Sequence, residues 1–293
     1  MSKILVVGGS GFIGSHVADK LTKENHEVVI YDVKESTYKT KKQKMIMGST
    51  LDIEKISNIL KTGIEYVYNF SSIADINVAK TNFDTMIDVN IKGHLNLMAV
   101  CSDFGISRYI YSSSLYVYSN NGSMYKASKQ SAELFIEAFS EINKLDFTVV
   151  RCGTVYGPRS QDWNGLYQLI KGIIEDKELV YDGSGEEQRN FIHVEDMAEL
   201  FIKVLDDKYK NEYVIINGPE TYSGQEFVDL IKEIFEGNID KSLIKYKGGK
   251  RPDHYVKTPY KYFPRRAKNI TKDTYIELGQ GVVELANYIQ NSN

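Results

Sequence analysis

The chain holds only two cysteines in 293 residues, Cys101 and Cys152, each inside an apolar segment. That scarcity excludes a disulfide-stapled scaffold and predicts buried thiols in a reducing, cytoplasmic setting. No Cys/His cluster has metal-ligand spacing, so no metal centre is expected. No apolar run approaches the ~20 residues of a membrane span, so no membrane partner is expected. The opening stretch Met1–Val7 is too short for a signal peptide and runs straight into glycines. At 42% hydrophobic and 26% charged residues, the composition excludes disorder and collagen-like order. A net charge of −3 gives no surplus for general nucleic-acid binding, and no such partner is expected. The charge is unevenly spread, however. Lys241–Lys272 carries eleven Lys/Arg and one acid, Asp253, a local +10 that leaves −13 elsewhere. A solvated surface accounts for such a stretch, and so does an anion site.

The first half alternates short apolar runs with amphipathic ones. Lys3–Val7, Glu27–Tyr31, Met45–Met47, Tyr66–Phe70, Tyr109–Ser112 and Phe147–Arg151 read as strands. Between them Phe12–Thr22, Ile53–Leu60, Phe83–Ser102 and Tyr125–Ile142 read as helices. Buried strands alternating with helices predict an α/β fold, a parallel sheet covered on both faces. Right-handed crossovers make it doubly wound and Rossmann-like. After Gly157 the regularity breaks, with strands at Glu178–Tyr181, Asn190–Val194 and Glu212–Ile216 and helices at Glu195–Leu205 and Gly224–Phe235. This predicts a smaller mixed α/β lobe, crossed by a long irregular segment over Lys247–Ile270. The expected division is 1–157 with 188–215 for the sheet domain, and 158–187 with 216–293 for the lobe.

Gly8-Gly9-Ser10-Gly11-Phe12-Ile13-Gly14 follows the first strand and opens the first helix. It satisfies Gly9-x-Gly11-x-x-Gly14 and also Gly8-x-x-Gly11-x-x-Gly14. Glycines let backbone amides approach a pyrophosphate, and the helix N-terminus attracts its charge. Alone the motif is weak, but here a strand precedes it and a helix follows. The next strand ends in Asp32, eighteen residues past Gly14, where an acid meets the ribose diol. A carboxylate there accepts from a 2′-hydroxyl and repels a 2′-phosphate, which favours NAD over NADP. The lysines that follow, Lys34, Lys39, Lys41, Lys42 and Lys44, are read as a solvated loop. Asp52-Ile53 opens a helix, either as an N-cap or as an adenine contact.

Tyr125 and Lys129 stand four apart, one helical turn, on the same face. A lone Tyr-x-x-x-Lys is a weak signal. Beside a dinucleotide fingerprint it is a strong one, because oxidising an alcohol removes a hydroxyl proton as hydride leaves carbon. A phenol, with its reference pKa of ~10, is a poor base near neutrality. Bringing one there takes about 4 kcal/mol of differential interaction, which an ammonium and an oxidised nicotinamide supply in a water-poor site. Ser112-Ser113-Ser114 ends the preceding strand, where strand ends line the crevice; turn chemistry is its plainer explanation.

Gly8–Gly14, Asp32, Ser112-Ser113-Ser114-Leu115-Tyr116-Val117-Tyr118, Tyr125–Lys129, Arg151–Arg159 and Arg189–Asp196 occur in that order. With this set the chain resembles the extended short-chain dehydrogenase/reductases, the NAD-dependent nucleotide-sugar epimerase/dehydratase family. The resemblance implies Ser114, Tyr125 and Lys129 as the catalytic triad. It implies a cofactor site of Gly8, Gly11, Phe12, Ile13, Gly14, Asp32, Asp52, Ile53, Phe70, Ser71, Ser72, Asn90, Ser112, Tyr125 and Lys129, with Asn90 supporting the lysine through water. It implies Arg189 as a grip on a nucleotide diphosphate (UDP, GDP or dTDP), with Arg251 as a second phosphate contact for which Arg265 and Arg266 compete. Ser114, Thr154, Leu166 and Tyr181 complete the substrate list, although a core role suits Tyr181 equally well. Trp163 fits either role, and His193 is read as structural. Leu134, Phe135, Ala138, Phe139 and Ile142 form a stripe read as core. The resemblance implies instead that helices 83–102 and 125–142 pair into a homodimer.

The departures narrow the activity. Family members that dehydrate at C4–C6 carry an acidic pair after the catalytic Ser/Thr, where this chain has Leu115 and Tyr116. A 4,6-dehydratase is therefore not expected. Six residues separate Tyr118 from Tyr125, fewer than the family usually has, which predicts a more open sugar pocket. Asn69-Phe70-Ser71-Ser72 replaces the family's His-Leu-Ala-Ala. The implied activity is NAD-dependent oxidation or reduction at a sugar hydroxyl, at C4, as a 4-epimerase or a 4-dehydrogenase/4-ketoreductase. A non-catalytic NAD(H)-binding sensor on the same fold stays open as the alternative.

Overall fold

The structure is a computed structural model that describes residues 1–237, 239–240, 244–248, 254 and 256–259. Its main body is a seven-stranded sheet in the order β10-β6-β5-β4-β1-β2-β3. The strands are β1 (Lys3–Val7), β2 (Glu27–Asp32), β3 (Lys44–Met47), β4 (Tyr66–Asn69), β5 (Arg108–Ser114), β6 (Phe147–Cys152) and β10 (Glu212–Ile216). Every pairing within it is parallel. The doubly wound α/β fold is thus observed.

Side-chain alternation along the strands feeds two apolar layers, which is why the strands read as continuous hydrophobic runs. Leu5, Val7, Val29, Val67 and Tyr109 pack beneath α2 (Ile53–Leu60), α5 (Gly93–Asp103) and α6 (Ser123–Asn143). Ile4, Val6, Val28, Ile30 and Ile110 pack against α1 (Phe12–Lys23) and α8 (Val194–Lys203). Each fully buried aliphatic side chain contributes about 1.5–3 kcal/mol. The register sets Val7 beside both Tyr31 and Asn69, and Ser114 beside Cys152. The carboxyl ends of the strands therefore form one edge, and the site lies along it.

Residues 83–102, expected as one helix, are three pieces. α4 (Phe83–Ile87) passes into a π-helical turn (Asp88–Lys92) and then α5. The wide turn swings Asn90 into the interior, where it is buried. Two further segments were not anticipated, β7 (Thr154–Tyr156) and α7 (Gly165–Asp176). Asn164 and Gly165 look like turn residues, but the Asn164 side chain caps α7 by accepting from the amides of Leu166 and Tyr167. A short α3 (Ile76–Thr81), capped by Asp75, was likewise not anticipated.

β7 joins β9 (Gln188–His193) and β11 (Thr221–Ser223) in a three-stranded sheet, and β8 (Leu179–Tyr181) pairs with β12 (Ile244–Tyr246). A third core cluster under α7 and α9 (Gly224–Ile234) holds Leu169, Ile173, Leu179, Phe227, Val228 and Ile231. Of the irregular segment expected at Lys247–Ile270, only 247, 248, 254 and 256–259 are described. There the Val256 carbonyl accepts from the Gln188 amide at 2.7 Å, tying the segment to β9.

The stripe expected as core on α6 is only partly so. Phe135 and Phe139 pack against the first layer, whereas Leu134 is 64% and Ile142 77% exposed. Ala132 and Ile136 carry the burial instead.

Candidate active site

A cavity of about 1280 Å³ runs along the carboxyl edge of the sheet. Its cofactor end is built around the first turn. Gly8 adopts φ +75°, and a Cβ there would meet the Ser71 amide at 2.6 Å. A Cβ on Gly14 would lie 2.3 Å from the Gly8 carbonyl oxygen. Gly11 is the N-cap of α1 and supplies no side-chain cap, so first-turn amides remain available to an anion. Asp32 is anchored at the end of β2, its carboxylate accepting from the amides of Ser10 and Lys34, each at 3.0 Å. Across from it Phe70, Ser71 and Ser72 line the wall, and Ser72 Oγ is buried with no partner among the described residues. An uncapped helix start, a glycine floor and an orphaned hydroxyl fit a dinucleotide.

The structure brings Gly8, Gly11, Phe12, Ile13, Gly14, Asp32, Phe70, Ser71 and Ser72 to this wall. It does not bring Asp52 or Ile53. Asp52 caps α2, accepting from the Lys55 amide at 3.0 Å, and Ile53 is 50% exposed. Gly48, Ser49 and Thr50 line the cavity in their place. A Cβ at Gly93 would lie 2.1 Å from Thr50 Oγ1, so the missing side chain lets the start of α5 close on that loop. Of the five lysines read as a solvated loop, Lys34 lines the cavity, whereas Lys39, Lys41, Lys42 and Lys44 are exposed and off the wall.

At the reactive end Ser113, Ser114, Tyr116, Tyr125, Cys152 and Thr154 line the cavity. Ser114 Oγ accepts from the Tyr116 amide at 3.3 Å. Lys129 is not on the wall but behind it. Its Nζ donates to the Ser112 carbonyl at 2.8 Å and sits 5.8 Å from the centroid of the Tyr125 ring. Burial pulls the Lys129 pKa down to about 8, against the upward pull of Cys152 and Glu133. Ser112 also stands off the wall: its carbonyl holds Lys129 and its hydroxyl lies 3.6 Å from Cys152 Sγ. Asn90 is buried between the 71–75 loop and α6. Its amide donates to the Ile73 carbonyl (3.1 Å) and Ser128 Oγ (3.0 Å), and its carbonyl accepts from the Ile73 amide (2.7 Å). Its side chain thus clamps the 71–75 loop to α6, the helix that carries Lys129. Ser128 Oγ in turn donates to the Tyr125 carbonyl at 2.8 Å. Farther along α6, Glu133 binds Arg151 of β6 at 2.7 Å and accepts from Ser113 Oγ at 2.5 Å, fixing the helix on the sheet.

Where a more open sugar pocket was expected, a residue from far along the chain joins the wall. His254 reaches the short segment after Tyr118: Tyr116 Oη and His254 Nδ1 are 2.6 Å apart, and Asn121 Nδ2 donates to the His254 carbonyl at 2.6 Å. The Tyr116 ring meets Tyr125 edge-on, with centroids 5.9 Å apart. Nothing in the local sequence signals this contact, because 138 residues separate its partners.

At the far end Leu166, Tyr181, Arg189, Phe191 and Phe227 line the cavity. Phe191 and Phe227 stack at 4.8 Å, and Tyr181 meets Tyr246 edge-on. Arg189 Nη1 donates to the carbonyls of Gln188 and Val256 at 3.0 and 3.1 Å. Burial alone would raise the Glu187 pKa, but hydrogen bonds from Ser184 and Gly185 outweigh it and hold the carboxyl low. That carboxylate shapes the turn beside Tyr181. Arg251, Arg265 and Arg266 lie outside the described residues. Trp163 lines the cavity, and His193 caps α8.

Comparison with known proteins meets this geometry. Residues 4–217 match the NAD dependent epimerase/dehydratase family. The chain belongs to that family. It is therefore an enzyme with NAD as its cofactor. Protein CapI of Staphylococcus aureus is 30% identical over 230 residues, 69% of each chain. A putative UDP-glucose 4-epimerase of Methanocaldococcus jannaschii is 26% identical over 313 residues, 99% of each chain. Among solved structures, a UDP-glucose 4-epimerase of Thermotoga maritima with UDP-glucose superposes with a TM-score of 0.80 and 26% identity, over 89% of this chain and 90% of that one. No helix among the described residues is long and apolar enough to cross a membrane.

Proposed function

We propose that the chain oxidises and re-reduces C4 of a nucleotide-diphosphate sugar, as a 4-epimerase. One observation carries this: Ser114 and Tyr125 face the same cavity as the Gly8–Gly14 cradle. NAD supplies a hydride acceptor, and then a hydride donor, at its nicotinamide. Tyr125 takes the proton of the sugar hydroxyl as the C–H bond breaks, and returns it when the ketone is reduced. Ser114, whose oxygen accepts from the Tyr116 amide, turns its own hydrogen toward the sugar oxygen. Lys129 supplies positive charge behind the phenol. Gly8, Gly11 and Gly14 hold the pyrophosphate, Asp32 the ribose diol, and Phe70–Ser72 the nicotinamide side.

UDP is the favoured nucleotide, because two of the similar proteins just described are named for UDP-glucose. Arg189 serves the diphosphate, and Leu166 and Tyr181 flank the base. Elimination of water has no support here: Leu115 is buried and apolar, and Tyr116 is engaged with His254. The working division places cofactor binding in 1–157 with 188–215, and sugar-nucleotide binding in 158–187 with 216–293. We also propose a homodimer through residues 83–102 and 125–142, supported by the exposure of Phe83, Ile87, Leu134 and Ile142.

The test is incubation with UDP-glucose and NAD, with the C4 epimer followed by NMR. Tyr125→Phe should lower turnover by about 10²–10⁴-fold while NAD affinity is unchanged by calorimetry. A chain that binds NAD but turns over no nucleotide sugar, with or without Tyr125, is a sensor and overturns the reading.

A further inference from the structure

The mechanism leaves several buried polar groups beside the triad unexplained: Asn69, His94 and Tyr109, with Tyr111 among them. Their hydrogens can be assigned from one end. Asn69 Oδ1 accepts from the Ser71 amide (2.9 Å) and Ser71 Oγ (2.6 Å), which fixes the orientation of its amide. Asn69 Nδ2 therefore donates to Tyr109 Oη at 2.7 Å. Tyr109 must then donate to His94 Nδ1 at 2.9 Å. That leaves the ring hydrogen on Nε2, which donates to the Ala132 carbonyl of α6 at 3.2 Å. The chain of donors starts at the cofactor wall and ends on the helix that carries Tyr125 and Lys129. It demands a neutral imidazole, and burial agrees, pulling the His94 pKa down to about 3.

His94 and Lys129 meet at one ring. The His94 ring packs on Tyr111 with centroids 4.6 Å apart, and Lys129 Nζ lies 4.8 Å from the same Tyr111 centroid. An ammonium buried away from water loses hydration, and an aromatic face restores part of that loss through its quadrupole. We infer that Tyr111 is a positioning residue, whose ring carries the Lys129 ammonium behind Tyr125 while the Asn69–Tyr109–His94 chain keeps a second cation off that ring. The Ser112 carbonyl gives Lys129 its directional hydrogen bond, and the ring gives it a polarisable surface. The other titratable groups around Lys129 are Tyr125 and Glu133 on α6, Cys152 on β6 and His94 on α5. Glu133 and Cys152 favour the ammonium, and a charged His94 would oppose it.

The inference rests on the proposed role of Lys129, so its test reads the lysine itself and not turnover. Phenylalanine and 3,4,5-trifluorophenylalanine are placed at position 111 in the full chain. They have nearly the same shape, but fluorination cancels the ring's quadrupole. The pH dependence of Lys129 acetylation by acetic anhydride is then followed by mass spectrometry. Tyr111→Phe should titrate like the parent, and the trifluoro ring should lower the lysine's apparent pKa by about one pH unit, a tenfold change. Equal titration with both rings overturns the inference. A chain with no activity on any nucleotide sugar would overturn the proposed reaction yet leave this titration readable. Where turnover is present, the alkaline limb of kcat should move with the lysine, and a ring serving only as packing would not move it.

Discussion

At the glycine end of the cavity, Asp32 accepts from Ser10 and Lys34, and Gly8 closes on Ser71 of the adjacent strand end. At the sugar end, Tyr116 meets His254 across 138 residues of chain, and Arg189 meets Val256 across 67. The first wall exists once β1, β2 and β4 have paired. The second exists only after a distant segment has returned and docked, against a closure entropy that grows with loop length. A wall set by strand register is hard to change without losing the fold. A wall set by a returning segment changes with that segment and leaves the sheet intact. NAD binding and sugar choice should therefore respond to mutation separately.

The largest separation is expected at Gly14. An alanine Cβ there would lie 2.3 Å from the Gly8 carbonyl oxygen and 3.0 Å from Gly9 Cα, both backbone atoms that cannot rotate away. Gly14→Ala should weaken NAD binding by about 100-fold, within the 1–3 kcal/mol that overpacking costs. Calorimetry with NAD measures it. Binding of UDP alone should be unchanged, and a parallel loss of UDP would break the comparison.

This contrast also explains how much could be read in advance. The glycine cradle, Asp32 and the Tyr125/Lys129 pair were legible because each rests on a local rule: a strand-turn-helix signature, a strand end, a one-turn spacing. Asp52 was legible as a cap and misleading as a contact, since one acid at a helix start satisfies both descriptions. The bonds of Asn90 to Ile73 and Ser128 were not legible, because the π-helical turn that rotates it carries no sequence mark. Lys129 and Ser112 lie behind the wall and not on it, a matter of depth that helical spacing does not encode. His254 was not legible at all, standing among residues without periodicity and bonded to a tyrosine from the other half of the chain.

An intermediate effect is expected from pH, and it acts on the reactive centre between the two walls. Burial holds the Lys129 pKa near 8, below the ordinary 10.5. Below about pH 8 the ammonium is present behind Tyr125. Above it the charge is lost, so kcat should fall as pH rises, approaching tenfold per pH unit on the alkaline limb. Stability runs the other way. Between about 8 and 10.5 the unfolded chain binds more protons at this lysine than the folded one, so its contribution to folding improves as pH rises. A rate loss above pH 8 with no loss of thermal stability is the expected pair. A fall in both together would place the titration in the fold and not in the site.

The smallest effect is expected at His254, and it bears most directly on the second wall. His254→Ala removes the side chain bonded to Tyr116 while the Asn121 bond to the 254 carbonyl stays available. The sugar end should open, raising KM for the nucleotide sugar about tenfold, the worth of one hydrogen-bonded contact of about 1–1.5 kcal/mol. Turnover at saturation should change little, because the bonds to Ser114 and Tyr125 come from the Tyr116 amide and the Ser128 hydroxyl, neither of which the His254 side chain touches. NAD affinity should not change. The sharper readout is the ratio of kcat/KM for UDP-N-acetylglucosamine to that for UDP-glucose, because the variant has more room for the larger sugar. A ratio that rises assigns sugar choice to the returning segment. If NAD affinity falls alongside, the two walls are one cooperative unit, and the separation drawn from their sequence distances is wrong.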